Sequence, residues 1–115
     1  SLVCVVRRGG FKALFCGDID SAAEKTLAEL YTDQLEDCTV MSVPHHGSVY
    51  SSQEDFAALT SPNISVISVG ENNYGHPSPE VVELLEEYGK VYRTDEDGSI
   101  QIRTDGRIAE VYELQ

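Results

Sequence analysis

The sequence predicts an α/β layered fold with a mixed sheet, about three helices and a terminal β-meander. Three observations carry that prediction. Short apolar runs rich in valine, isoleucine and cysteine recur along the chain. Segments with helix-start residues and helical apolar spacing lie between them. The last quarter changes character, with Asp-Gly turns separating short alternating runs. At 115 residues and 41% hydrophobic content, the chain is one domain at most, with enough apolar side chains for a real core.

Each element has a local reason. Leu2-Val3-Cys4-Val5-Val6 reads as a buried strand. Gly9-Gly10 is a hairpin turn, and residues 12–16 return as a second strand ending at Gly17-Asp18. Ser21-Ala22-Ala23-Glu24 has the form of a capping box, and Ala23, Leu27, Leu30 and Tyr31 supply the apolar face of the helix it starts. Residues 39–43 form a strand that Pro44 terminates, delivering His45-His46-Gly47-Ser48 into a loop. A second helix runs from Ser51-Ser52-Gln53-Glu54 to about Leu59, and Ser61-Pro62-Asn63 breaks it.

Residues 64–69 are the next strand, and residues 70–77 a long polar loop. Ser78 is placed as an N-cap with Pro79 at the first helical position, Val81, Val82, Leu84, Leu85 and Tyr88 form an apolar stripe, and Gly89 closes the helix. Residues 90–93, 99–103 and 107–114 complete an antiparallel meander around the turns Asp97-Gly98 and Asp105-Gly106.

Composition narrows the function. The net charge of −12, from 20 acidic and 8 basic residues, argues against a broad nucleic-acid groove. It leaves room for a nuclease whose metal ions supply a local positive field. No apolar run approaches the roughly 20 residues a bilayer span needs, and no basic-then-apolar leader opens the chain. The three cysteines, Cys4, Cys16 and Cys38, contain no C-x-x-C pair and read as small buried thiols. Cys4 and Cys16 lie on adjacent predicted strands. No nucleophile elbow, P-loop, dinucleotide fingerprint or complete calcium loop occurs.

The chemistry-bearing residues gather at strand ends, where α/β folds place their sites. Asp18 follows a glycine at one such end, and its carboxylate suits either a pair of divalent cations or a helix N-terminus. His45 and His46 stand side by side and point in different directions, so one faces the site as proton donor or phosphate contact while the other orients it or lines the entrance. His76, fixed between Gly75 and Pro77, suits a preorganised ligand or a hydrogen bond to the following helix. Asn72, Asn73 and Tyr74 before it offer weaker polar contacts.

In order along the chain, Ser1-Leu2-Val3, Phe15-Cys16-Gly17-Asp18-Ile19, Val43-Pro44-His45-His46-Gly47-Ser48, residues 68–77 and Tyr92-Arg93-Thr94-Asp95 form a set of blocks. Together they resemble the C-terminal metallo-β-lactamase-like domain of ComEC-type competence (DNA-uptake) proteins, across essentially the whole chain. That resemblance implies an αββα sandwich of which residues 1–115 are the C-terminal part. The fold's main metal motif, H-x-H-x-D-H, belongs to the first half of such domains and does not occur in these residues.

By position, the resemblance makes Asp18 the carboxylate bridging two metals and His76 the late histidine ligand. His45 and His46 become the catalytic pair that contacts phosphate or handles protons. The implied cofactor is a divalent metal, zinc or manganese, two ions in the complete domain and absent or partial in this chain. The implied activity is phosphodiester hydrolysis of DNA during uptake, in a soluble domain of a cell-membrane protein. Its partners are DNA, the N-terminal half of the domain and the membrane-channel portion of the parent. A non-catalytic half-domain for assembly, and a hydrolase of a small ester, are the alternatives. A half-sandwich would expose an apolar sheet face, so self-association is also expected.

Overall fold

The computed structural model describes residues 1–114. Its main sheet has five strands in the order β1-β2-β3-β4-β5: Cys4–Arg8, Phe11–Phe15, Val40–Ser42, Ile64–Ile67 and Lys90–Arg93. β1 and β2 form an antiparallel hairpin, and β2 through β5 are parallel. A separate antiparallel pair follows, β6 (Ser99–Thr104) and β7 (Ala109–Leu114). Three helices longer than one turn connect these strands: α1 (Ser21–Leu30), α3 (Glu54–Thr60) and α4 (Pro79–Glu86). Single turns lie at α2 (Thr32–Leu35) and α5 (Thr94–Asp97). The α/β class and mixed sheet are thus as the sequence predicts.

The core sits between one sheet face and the helices. Leu14, Met41 and Ile67, from β2, β3 and β4, pack in one cluster with Phe56 of α3 and Val81 and Leu85 of α4, all buried. Each such side chain contributes roughly 1.5–3 kcal/mol by leaving water. The opposite face carries Ala13, Phe15, Val40, Ser42 and Val66. With Ile100 and Ile102 of β6 it borders a cavity of about 440 Å³.

Several local expectations are corrected. Residues 90–93 do not join a terminal meander: β5 extends the parallel sheet beside β4, and only β6 and β7 pair antiparallel. β1 is mostly exposed because it is an edge strand with a neighbour on one side only. Cys4 on it is exposed and sits opposite Phe15, not Cys16. Cys16 and Cys38 are buried free thiols, as expected. Burial pushes both thiols up, Cys38 to about 12, so neither is a nucleophile at neutral pH. α1 ends at Leu30, and both Leu30 and the C-cap Tyr31 are exposed rather than part of the buried core.

The predicted capping box also shifts. Asp20 is the N-cap of α1, its carboxylate accepting from the Ala23 N–H at 3.0 Å. Glu24 instead turns inward, 2% exposed, and its carboxylate accepts from the backbone N–H groups of Ser52 and Gln53. Ser51 Oγ donates to the Ile19 carbonyl at 2.6 Å, and the Ser21 N–H donates to the Tyr50 carbonyl at 2.9 Å. These bonds tie residues 50–53, just after the histidine pair, to the start of α1. Ser52 holds a left-handed φ of 54° within this join.

Burial pushes the Glu24 carboxyl above its usual range, against the two N–H bonds and with the Asp20 charge adding to it. A folded-state pKa above the unfolded one means that the folded chain holds this proton more tightly. The contribution is complete below the ordinary glutamate range and is lost as pH rises through the folded value. Glu24→Gln therefore flattens the fall in stability with rising pH above that range. Glu24→Ala removes the acceptor of two backbone N–H groups, that of Ser52 buried and that of Gln53 partly so, and lowers urea-unfolding stability by about 1–3 kcal/mol. An Ala variant as stable as wild type would contradict this role.

Candidate functional site

Parallel pairing puts the C-terminal ends of β2, β3, β4 and β5 on one edge of the sheet. Gly17-Asp18 leaves β2 there, Pro44–Gly47 leaves β3, and residues 68–77 leave β4. The four residues singled out from sequence, Asp18, His45, His46 and His76, all belong to these exits. His46 Nε2 lies 3.4 Å from Asp18 Oδ1. The His45 ring stands between its neighbours, with its centroid 6.3 Å from that of His46 and 5.5 Å from that of His76.

The turn after β3 has an unusual backbone. Pro44–Gly47 is a single 3₁₀ turn in which His45 (φ 50°), His46 (φ 55°) and Gly47 (φ 81°) are all left-handed. Three hydrogen bonds hold it. The His45 N–H donates to the Gly17 carbonyl at 2.8 Å, joining the turn to the residue before Asp18. The Ser48 N–H donates to the His45 carbonyl, and the Ser78 N–H to the Gly47 carbonyl. Gly47 is required twice: its φ suits glycine, and a Cβ there would stand 2.6 Å from Pro77 Cβ. The turn is therefore pressed directly against the His76-Pro77 segment.

Asn72 shapes the loop that carries His76. Its side-chain oxygen accepts from the N–H groups of Tyr74 and His76, at 3.0 and 3.1 Å. Its amide nitrogen donates to the Gly70 and His76 carbonyls, at 3.0 and 2.8 Å. All four bonding positions of this amide are used to fold residues 70–76 around it. Sequence reasoning gave Asn72 only a weak polar role. An asparagine followed by Asn-Tyr-Gly-His is the signal for it, because Asn side chains close turns on their own backbone. Ser78 is likewise not the side-chain cap expected of it: its hydroxyl donates to the Glu80 carboxylate.

His46 is held in one tautomer. Its Nδ1 lies 2.7 Å from the Ser68 carbonyl, which only accepts, so Nδ1 carries the hydrogen. In the neutral ring Nε2 then presents a lone pair toward the Asp18 carboxylate. Two acceptors facing each other at that distance repel unless a proton or a cation lies between them. Because the His46 and Asp18 side chains are 52% and 61% exposed, a bare ion pair contributes little stability. His45 Nδ1 is buried and has no hydrogen-bond partner. The corner therefore offers an exposed carboxylate, an imidazole acceptor beside it and an unpartnered ring nitrogen. Among the described residues, no three His, Cys, Asp or Glu side chains are arranged to hold a metal ion by themselves.

No family model matches the chain, and no solved structure matches it. The chain is 36% identical over 110 residues to ComE operon protein 3 of Bacillus subtilis (strain 168), covering 94% of the chain and 14% of that protein. It is 37% identical over 102 residues to Competence protein ComA of Neisseria gonorrhoeae, covering 85% of the chain and 15% of that protein. The chain thus spans a small part of the length of either relative. No helix among the described residues is long and apolar enough to cross a membrane.

The tautomer is directly observable. Selective ¹⁵N labelling of histidine should show His46 as the Nδ1–H form whenever its ring is neutral. A neutral His46 found as the Nε2–H form would remove the acceptor from the corner.

Proposed function

We propose that this chain is the C-terminal part of a metallo-β-lactamase-like domain and forms one side of a metal-dependent phosphodiesterase site acting on DNA during competence. The observation that carries the reading is the approach of His46 Nε2 to the Asp18 carboxylate, with His45 and His76 on the same edge. Similarity to two competence proteins supports the setting.

The donors fit a metal site in kind. Carboxylate oxygen and imidazole nitrogen are ordinary ligands for zinc and manganese, and the lone pair of His46 facing Asp18 marks where positive charge is favoured. They are too few to complete a site, so the remaining ligands would come from outside these 115 residues. Asp18 and His76 would hold the ions. When bound, two divalent cations supply the positive field that an acidic chain lacks and acidify water for attack on phosphorus.

The residues of the chain do the rest. The Ser68 carbonyl fixes the His46 ring by accepting from Nδ1–H, so that Nε2 is the atom that takes or gives a proton. His45, anchored through its N–H to the Gly17 carbonyl, is the second proton carrier, and one of the pair protonates the leaving oxygen. Asn72 fixes His76 by holding its N–H and its carbonyl at once.

A non-catalytic half-domain is favoured by one observation, the lack of a self-sufficient metal group among the described residues. The two readings separate in the full protein. Asp18→Ala should reduce metal-dependent cleavage of a DNA oligonucleotide by about 100-fold or more, since metal charge stabilisation amounts to several kcal/mol. Undiminished cleavage by that variant would overturn the assignment. A full protein that holds no stoichiometric zinc or manganese and cleaves nothing would favour the half-domain.

A further inference from the structure

We infer that Glu24, a buried carboxylate on α1, is a positioning residue: by fixing residues 48–53 it holds the His45-His46 turn docked against the two carbonyls that flank Asp18. Helix α1 does not need it. Asp20 already caps that helix, and among the described residues the partners of the Glu24 carboxylate are backbone N–H groups rather than a cation. An apolar side chain would fill the same space without the cost of burying a polar group. What a carboxylate adds is two acceptors at fixed places. One oxygen takes the Ser52 N–H and the other takes the Gln53 N–H.

Hydrogen bonds run on from there to His45. The Ser51 N–H donates to the Ser48 carbonyl at 3.1 Å, and the Ser48 N–H to the His45 carbonyl at 3.0 Å. The Tyr50 N–H donates to Ser48 Oγ at 3.1 Å. The same stretch is fastened on either side of Asp18, with the His45 N–H on the Gly17 carbonyl and Ser51 Oγ on that of Ile19. Asp18 and the histidine turn are thus joined through backbone as well as through the 3.4 Å approach of Asp18 to His46.

Glu24 grips this unit at its strained point. Ser52 has a left-handed φ of 54°, and its buried hydroxyl has no hydrogen-bond partner. Both features favour release of Ser52 toward ordinary backbone and toward water. The bond from the Ser52 N–H to Glu24 opposes that release. With the acceptor gone, residues 48–53 relax first and His45 follows through Ser48. His45 Nδ1, which is buried, then opens to solvent. That the displacement slows hydrolysis rests on the proposed function, whereas the displacement itself does not.

Diethyl pyrocarbonate labelling of the full protein, read at His45 by tandem mass spectrometry, tests the hold without reference to activity. Glu24→Gln keeps the shape of the side chain but turns one of its two acceptors into a donor. It should raise the His45 labelling rate by about 5- to 30-fold, as when one or two hydrogen bonds no longer oppose local opening. Leu35→Ala makes a cavity in the buried core outside this unit, so it lowers stability and should leave the His45 rate as in wild type. In metal-dependent cleavage of an oligonucleotide, Glu24→Gln should lower kcat by up to about 100-fold with KM unchanged, because it misplaces a proton carrier and removes no substrate contact. Wild-type labelling of His45 in Glu24→Gln, an equal rise in Leu35→Ala, or faster labelling with unchanged kcat would overturn the role. A protein that labels as expected yet cleaves nothing in any form loses the hydrolase reading and keeps the hold.

Discussion

Parallel pairing of β2, β3, β4 and β5 is the constraint on which the rest depends. In a parallel sheet every strand leaves at the same edge, so residues distant in sequence meet without any direct contact being encoded between them. Asp18, the histidine pair and His76 follow three successive strands of this group. The buried cluster of Leu14, Met41, Ile67, Phe56, Val81 and Leu85 keeps those strands in register. Sliding one strand by a residue would expose that cluster and separate the corner at once. Stability and site geometry are here two consequences of one pairing pattern.

The histidine turn shows how the edge is finished. Left-handed backbone at His45 and His46 costs about 1–2 kcal/mol per residue. The bonds from His45 N–H, Ser48 N–H and Ser78 N–H contribute about 1 kcal/mol each, so the turn is close to neutral in free energy. Two of those three bonds reach other exits, one to Gly17 and one from Ser78 after the His76 loop. The strained conformation persists because neighbouring strand ends hold it, which is the usual condition for strain at a functional site. It points the two rings apart, one toward Asp18 and Ser68 and one toward His76.

Much of this corner could be read from sequence because strand ends carry local punctuation. Gly17 before Asp18, Pro44 before His45 and the Gly75-His76-Pro77 triplet all mark exits by backbone chemistry that needs no partner. What could not be read depends on partners far along the chain. Glu24 looks like half of a capping box, yet its carboxylate serves Ser52 and Gln53, so Asp20 takes the cap. Residues 90–93 have the same local pattern as an antiparallel strand, and only the vacant edge of β4 makes them parallel. β1 carries Arg7 and Arg8 and lies at an edge of the sheet, and it is mostly exposed. The left-handed histidines had one local sign, Gly47, and the contact with Pro77 that requires it is long-range. The role of Asn72 is hidden in the sequence because an amide folding its own loop looks like any polar loop residue.

In the proposed function, Asp18 and the imidazoles form one cation-seeking corner. Anomalous diffraction from crystals of the full protein grown with manganese tests it most directly. The account places an anomalous peak within ligand distance of the Asp18 carboxylate and of a ring nitrogen of His46 or His76. Ordered manganese found only elsewhere, for instance at the exposed acidic turn Thr94–Asp97, with nothing at Asp18, would contradict it.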